Sequence, residues 1–504
     1  MAVVPREDAI RVGRDRSLGA WAALIPTWPL WLALAGFVRL LAQPTALLND
    51  PDTYLHIAAG RWIIAHHALP LADPFSYTMS GAPWLPGEWL AQLVMAAVYD
   101  TTGWTGIILL AAACFAAALA LLCHFLVPRI GSLPAVIATL AGAALVLPHT
   151  VARPHLLALP LLALWCGSLV RARDEGGDPR WALLPVIVVW ANIHASFLFG
   201  LGFAGWLAGE AVLLAPPTDR KRTLVRWGSF VAAGAIAGLA TPGGPATFLQ
   251  PLRLMAMPAL AGSFGEWLPP SFSTFPALEW WLLGVVGLGF AMRIRLRWPR
   301  LLLLLLLMHM ALRHVRHADL LGLVGPLVMA SAVGEALGRH GEHLSRLPLW
   351  RAASVLAGRS RPAMLATAAI LAGIAAAPIL ASPIVRDDDA VTPAAAVSAA
   401  RRLGLSGPVF NSEEFGGYLA FSGLPDFIDG RVEMFGNDLL AEDVAAESGD
   451  TATLARLLGS YRVSWTLLTP QAGAVAVLDR MSGWRRAYTD PYAVIHIRTS
   501  HGAD

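Results

Sequence analysis

The sequence predicts an α-helical polytopic membrane protein, with about eleven spanning helices followed by a small soluble α/β domain. Three observations predict it. Of 504 residues, 56% are hydrophobic and only 14% are charged, where soluble domains carry roughly 25% charge. Apolar runs of about 17–25 residues recur through the first three quarters, each able to cross a hydrocarbon core of about 30 Å. From Asp387 onward the composition changes, with nine Arg against sixteen Asp or Glu in a chain whose overall net charge is +3.

Residues 1–17 are polar and basic (Arg6, Arg11, Arg14, Arg16). They read as a cytoplasmic segment before a retained first helix, not as a cleaved signal peptide. Spans are expected near residues 18–43, 104–127, 133–148, 155–170, 181–195, 197–215, 226–241, 277–292, 299–312, 317–337 and 363–385. The loops between them alternate in charge. One set, which includes the N-terminus, Arg129 and the loops 171–180, 220–226, 293–300 and 339–361, carries 21 Lys or Arg. The other carries five: Arg61, Arg153, Arg253, Arg313 and Arg316. The positive-inside rule then places the N-terminus in the cytoplasm and the C-terminal domain outside.

Within the membrane region 18–386, the first external loop, 44–103, is long. Residues 52–64 have helical periodicity and 85–99 form a second apolar stretch, so both are expected as amphipathic helices along the outer leaflet, with part of a span as the alternative for the second. A Pro- and aromatic-rich connector joins them. The tail, 392–500, reads as a compact α/β unit. Strands are expected at 408–411, 426–429 and 463–468, helices at 413–421 and 471–481, and a hairpin about Asp490-Pro491. The tail has no phosphate loop, no Cys/His cluster and no nucleophile elbow, and a nucleic-acid partner is not expected. The three cysteines lie in or beside apolar runs and suggest neither a disulfide framework nor a thiolate metal site.

Ionisable groups near a bilayer are costly and default to functional hypotheses. Here they map to the external ends of spans: Asn49-Asp50-Pro51-Asp52 and His56 after the first helix, then Glu88, Arg153 with His155, His194, and the Arg313–His317 turn. Each has a plainer reading. Asp50 and Asp52 can cap the helix that follows, the Arg313–His317 group can snorkel to the interface, and His194 can be an interfacial histidine with its hydrogen bonds met. The Met308-His309-Met310 run reads as packing in a leucine-rich span. Taken together, acids, imidazoles and guanidinium groups converge on one membrane face, as an active site there requires.

The acid pair after the first helix, the external loop and the stretch PWLPGEWLAQLVMAAVYDTTGW together resemble the GT-C superfamily of polyprenyl-phosphate-dependent glycosyltransferases, in its protein mannosyltransferase-like branch. VARPHLLALPLLALW resembles the Arg-Pro opening of that branch's fourth helix. WANIHASFLFGLG, RHVRHADLLGL, VFNSEEFGGYLAFSG and FIDGRVEMFG look like a bacterial subgroup of it. The resemblance covers nearly the whole chain, and the order of the motifs carries more weight than any one of them.

The resemblance implies an inverting transfer of sugar from a lipid-linked, polyprenyl-phosphate donor to an envelope glycan, lipid or protein acceptor. A carboxylate of the first external loop would be the general base, Asp50 first by position and Asp52 second. His56, Glu88 and His194 would orient the acceptor. Asp50, Asp52 and His56 would also be the ligands of a divalent cation, Mg2+ or Mn2+, if one is used. Arg313, Arg316 and Arg153 suit the donor phosphate, which a guanidinium binds in bidentate fashion. The pair is Asp-Pro-Asp where better-known members have adjacent Asp-Glu, so both carboxylates stay candidates. A bacterial inner membrane with a periplasmic C-terminal domain is expected. The competing readings are a transporter or flippase, which would place acids and bases at mid-membrane in broken helices, and a non-catalytic scaffold of the same fold.

Overall fold

The computed structural model describes residues 24–257, 265–341, 344, 346–358 and 360–499. The expected cytoplasmic segment 1–17 and the first residues of the first span lie outside the described residues. Helices occupy every expected span: Trp28–Leu41, the part of Trp89–Ile130 beyond Gly103, Ser132–Val146, Pro154–Asp174, Leu184–Ile193, Phe197–Leu213, Arg220–Gly238, Pro276–Ala291, Trp298–Arg313, Ala318–Gly338 and Pro362–Ala381. Among the described residues, five helices are long and apolar enough to cross a membrane by length and composition, and four more are apolar but shorter. The buried core between them is aromatic, with Trp165, Trp190, Phe115, Phe197 and Phe230 fully enclosed. Gly142 and Gly322 let two helices meet backbone to backbone, since a Cβ at Gly142 would lie 2.3 Å from the Gly322 carbonyl oxygen.

Ion pairs join loops of like set, as the charge alternation requires. At one end Asp174 takes Arg129 at 3.3 Å and Arg300 at 3.1 Å. Arg300 also reaches Glu210 at 2.5 Å, with Arg173 at 3.5 Å, so this buried acid within a span is neutralised by two guanidinium groups. At the other end Asp50, Arg153, Glu266 and Arg316 link four different loops.

The first external loop departs from expectation. The helix Asp52–His66 is packed within the protein, with Tyr54, Leu55, Ile57, Ala59 and Gly60 all buried. Small residues make this possible. A Cβ at Gly60 would fall 2.0 Å from the Gln92 carbonyl oxygen, so the next helix lies against it backbone to backbone. On another side it packs against the C-terminal domain, where Leu55 and Ala58 meet Ala420. The stretch expected as 85–99 is the first part of Trp89–Ile130, set off from the span by a kink at Gly103 (φ 62°, ψ −153°). The aromatic connector runs along the C-terminal domain, where Tyr77 donates its hydroxyl to the Val409 carbonyl at 2.8 Å and Thr78 to that of Phe427 at 2.6 Å.

The C-terminal sheet has the order β1 (Val409–Asn411), β2 (Trp465–Leu468), β4 (Val494–Arg498), β3 (Trp484–Thr489). β1 and β2 run parallel, and the other neighbours are antiparallel. The helix Glu413–Phe421 and the hairpin stand where the sequence puts them. The segment expected as a strand at 426–429 is not one. The Asn411 side chain takes the place of a strand partner, its amide donating to the Ile428 carbonyl at 2.9 Å and its oxygen accepting from Phe427 N–H at 2.8 Å. Helices Ala394–Arg402, Val432–Glu447 and Thr451–Ser460, which the sequence reading did not assign, pack around the sheet.

Candidate active site

The site begins where the first loop is stitched to the start of the helix Pro154–Asp174. Ala152 N–H donates to the Leu47 carbonyl at 2.8 Å, and the Thr53 hydroxyl donates to the Ala152 carbonyl at 3.1 Å. These bonds bring Arg153 onto the acid pair. Its Nε lies 3.3 Å from Asp50 Oδ1, and its Nη2 is paired with Asp52 Oδ2. Asp50 Oδ1 also accepts from Asp52 N–H at 2.9 Å, although the helix Asp52–His66 has no side-chain cap. Both acids are more than nine-tenths buried. Burial pushes the Asp50 carboxyl above its ordinary pKa, against the opposing pull of Arg153.

Arg153 continues the network. Its Nη1 stands 3.4 Å from Glu266 Oε2, and Glu266 Oε1 accepts from Arg316 Nη1 at 2.9 Å. The Glu266 turn is pinned in place, because His314 Nδ1 donates to the Trp267 carbonyl at 2.5 Å and Val315 N–H to that of Leu268 at 3.0 Å. Arg316 also lies over the Trp267 ring, 4.5 Å from its centroid. Burial raises the pKa of Glu266, but Arg153 and Arg316 outweigh it and keep this carboxylate ionised. Arg313 is outside the network: it ends its helix exposed, with no ion pair among the described residues.

A second group adjoins the first. Glu88 places one carboxyl oxygen 3.8 Å from His56 Nε2 and the other 3.6 Å from His194 Nε2. Ser196 N–H donates to His194 Nδ1 at 3.2 Å, which leaves Nε2 as the protonated nitrogen facing Glu88. Burial, with Glu433 nearby, pushes Glu88 up to about 8. Burial, with His155 nearby, takes His56 down to about 3. At neutral pH this group is therefore an uncharged set of donors and acceptors.

The residues expected as metal ligands do not converge. Asp50 and Asp52 meet on a guanidinium and His56 on Glu88, and no group of three His, Cys, Asp or Glu among the described residues is placed to hold a metal ion. A divalent cation does not fit between two carboxylates already bridged by Arg153.

Two acids joined the site without being foreseen. Glu266 is the only acid of loop 242–276, and that isolation was its one signal. Glu413, from the C-terminal domain, is pushed by burial up to about 8, with Glu414 and Asp429 adding and Arg153 opposing.

A bundle of apolar helices, an acid pair directly after the first of them and a C-terminal domain seated on that pair make up the fold of a polytopic membrane protein. No protein-family model matches the sequence, and no curated protein matches it. Solved structures do. ArnT from Cupriavidus metallidurans aligns in its apo state at 13% identity and TM-score 0.51, over 95% of this chain and 98% of that one. The same protein bound to undecaprenyl phosphate aligns at 12% identity and TM-score 0.47, over 97% and 99%. At such identity the likeness of the apo structure establishes the fold.

Proposed function

We propose that this protein is a membrane glycosyltransferase that moves a sugar from a polyprenyl-phosphate donor to an acceptor hydroxyl at the external membrane face. The observation that carries the reading is the unit of the buried Asp50 and Asp52 with Arg153, joined through Glu266 to Arg316. It sets carboxylates suited to take a proton beside guanidinium groups suited to receive a phosphate.

In the reaction the acceptor oxygen attacks the anomeric carbon as the bond from that carbon to the phosphate oxygen breaks. The electron pair leaves with the lipid phosphate, and the acceptor's proton passes to Asp50. Attack opposite the leaving group inverts the anomeric centre. Burial makes Asp50 a stronger base than a surface carboxylate. Arg316 and Arg153 offset the charge that grows on the departing phosphate. Asp52 holds Arg153 in place, while the uncharged His56, Glu88 and His194 set orients the acceptor's hydroxyls. The charge alternation supports a cytoplasmic N-terminus and an external, periplasmic site in a bacterial inner membrane. A transporter would need its charged groups at mid-membrane; among the described residues the buried acids within spans are Glu210, neutralised by Arg300 and Arg173, and Asp319, which stands in the first turn of its helix beside the Arg313–His317 turn.

The test is donor turnover by the purified protein in vesicles, across a panel of polyprenyl-phosphate sugars. Release of free polyprenyl phosphate from at least one donor supports the proposal. Intact donors throughout the panel, with and without glycan, lipid and peptide acceptors, would sink it.

A further inference from the structure

The backbone of the C-terminal domain comes up against the acid pair. A Cβ placed on Gly430 would lie 1.9 Å from Asp52 Oδ1 and 2.8 Å from its Cγ. A Cβ on Gly417 would lie 2.2 Å from the Pro51 carbonyl oxygen, between the two acids. Neither glycine has a positive φ, so each is suited to alanine by backbone conformation and excluded from it by contact alone. Asp52 is thus held on one side by Arg153 and on the other by the peptide backbone at Gly430.

That backbone has no freedom to retreat. The next residue, Arg431, is buried and bound to Asp429 by Nε at 2.9 Å and to Asp73 of the connector by Nη1 at 2.6 Å. Its guanidinium also lies over the Trp84 ring, 4.7 Å from the centroid. The helix Glu413–Phe421, which carries Gly417, is fixed as well, since Tyr418 and Phe421 each meet Tyr54 edge-on at 5.1 Å. The contact between the two parts of the chain is therefore rigid at the point where it meets Asp52.

We infer that the C-terminal domain is a wall of the active site, with Gly430 a positioning residue that sets the Asp52 carboxylate against Arg153 and, through that cation, against Asp50. The inference rests on the reading of Asp50 and Asp52 as the reacting acid pair. A methyl group at position 430 displaces the Asp52 carboxylate and turns Arg153 with it, and a misplacement of about 1 Å is enough to cost on the order of 100-fold in rate.

The experiment compares Gly430→Ala, Asp52→Ala, the double variant and, as control, Gly459→Ala, whose added methyl meets open space. Thermal melting of the full chain in detergent reads the contact without reference to any activity. Gly430→Ala is expected to lower the melting temperature, or to prevent folding, while the double variant melts like Asp52→Ala alone. Equal added losses in both backgrounds would overturn the contact and the inference with it. Donor turnover then reads the role: folded Gly430→Ala is expected to lose kcat by about 100-fold, with donor KM within about threefold of wild type and Gly459→Ala unchanged. Full kcat in folded Gly430→Ala overturns the positioning role. Should the wild type turn over no donor, the transferase reading fails and the catalytic role falls with it, while the melting cycle still decides the contact.

Discussion

Arg153 stands with Nε 3.3 Å from Asp50 Oδ1, a guanidinium from the start of one membrane helix set on an acid that follows another. Asp52, paired with the same group, completes a unit of two buried carboxylates and one partly exposed cation. Removing one partner of such a unit strands the rest.

Arg153→Gln therefore acts twice. Leaving Asp50 and Asp52 buried without a cation is expected to cost about 3 kcal/mol, read as a lower melting temperature in detergent. Donor turnover is expected to fall at least about 100-fold even where the protein stays folded. A variant of wild-type stability and rate would show that the ion pairs do not matter.

Arg316 and Arg313 are three residues apart, and only Arg316 joins the network. Arg316→Ala is expected to raise donor KM by about tenfold or more, because a charge-assisted contact to phosphate is lost. Arg313→Ala should leave KM and kcat near wild type. Steady-state kinetics with the donor varied separates the two, and equal effects would contradict the assignment.

How much of this was open to sequence follows from where each signal lives. The spans were legible because a bilayer demands a long apolar run and an asymmetric charge pattern, both local properties of the chain. The hairpin was legible from Asp490-Pro491 between two alternating stretches. Residues 426–429 looked like a strand because Phe427 and Ile428 are buried, but their backbone pairs with the Asn411 side chain, a partner no periodicity reveals. The Asp52–His66 helix has an apolar side that reads as membrane-facing. That Gly60 admits the Gln92 backbone on it is a fact of packing. In the site, Asp50, Asp52 and Arg153 announced themselves as charges at span ends. Glu266 did not, because its meaning comes from Arg153, which lies 113 residues away along the chain. Arg313 and Arg316 were equivalent in sequence, and only the end of the helix at Arg313 separates them.

Glu88 gives the pH dependence its sign. Its pKa is raised by burial from the ordinary 4.5 to about 8, so between those values the folded protein holds a proton that the unfolded chain has lost. The stability this group contributes is complete below its ordinary pKa and is lost as pH rises through about 8. Glu88→Gln should flatten that part of the decline, because glutamine stays neutral throughout. Melting curves collected across this range check it, and an unchanged slope would show that Glu88 ionises normally.

Arg431 fastens the C-terminal domain to the first loop through Asp429 and Asp73, all three buried. Arg431→Met leaves these acids without their cation and is expected to cost about 3–5 kcal/mol. Limited proteolysis should then cut the 69–84 connector sooner than in wild type. Equal rates of cutting would mean that the domain is held by its apolar contacts alone.

Donor turnover in reconstituted vesicles, with wild type, Asp50→Asn and Asp52→Asn at matched folding, decides whether the Asp50–Asp52 pair carries out glycosyl transfer. Asp50→Asn is expected to abolish sugar transfer while donor binding persists, with Asp52→Asn reduced through its hold on Arg153. Wild-type rates in both variants would contradict that role.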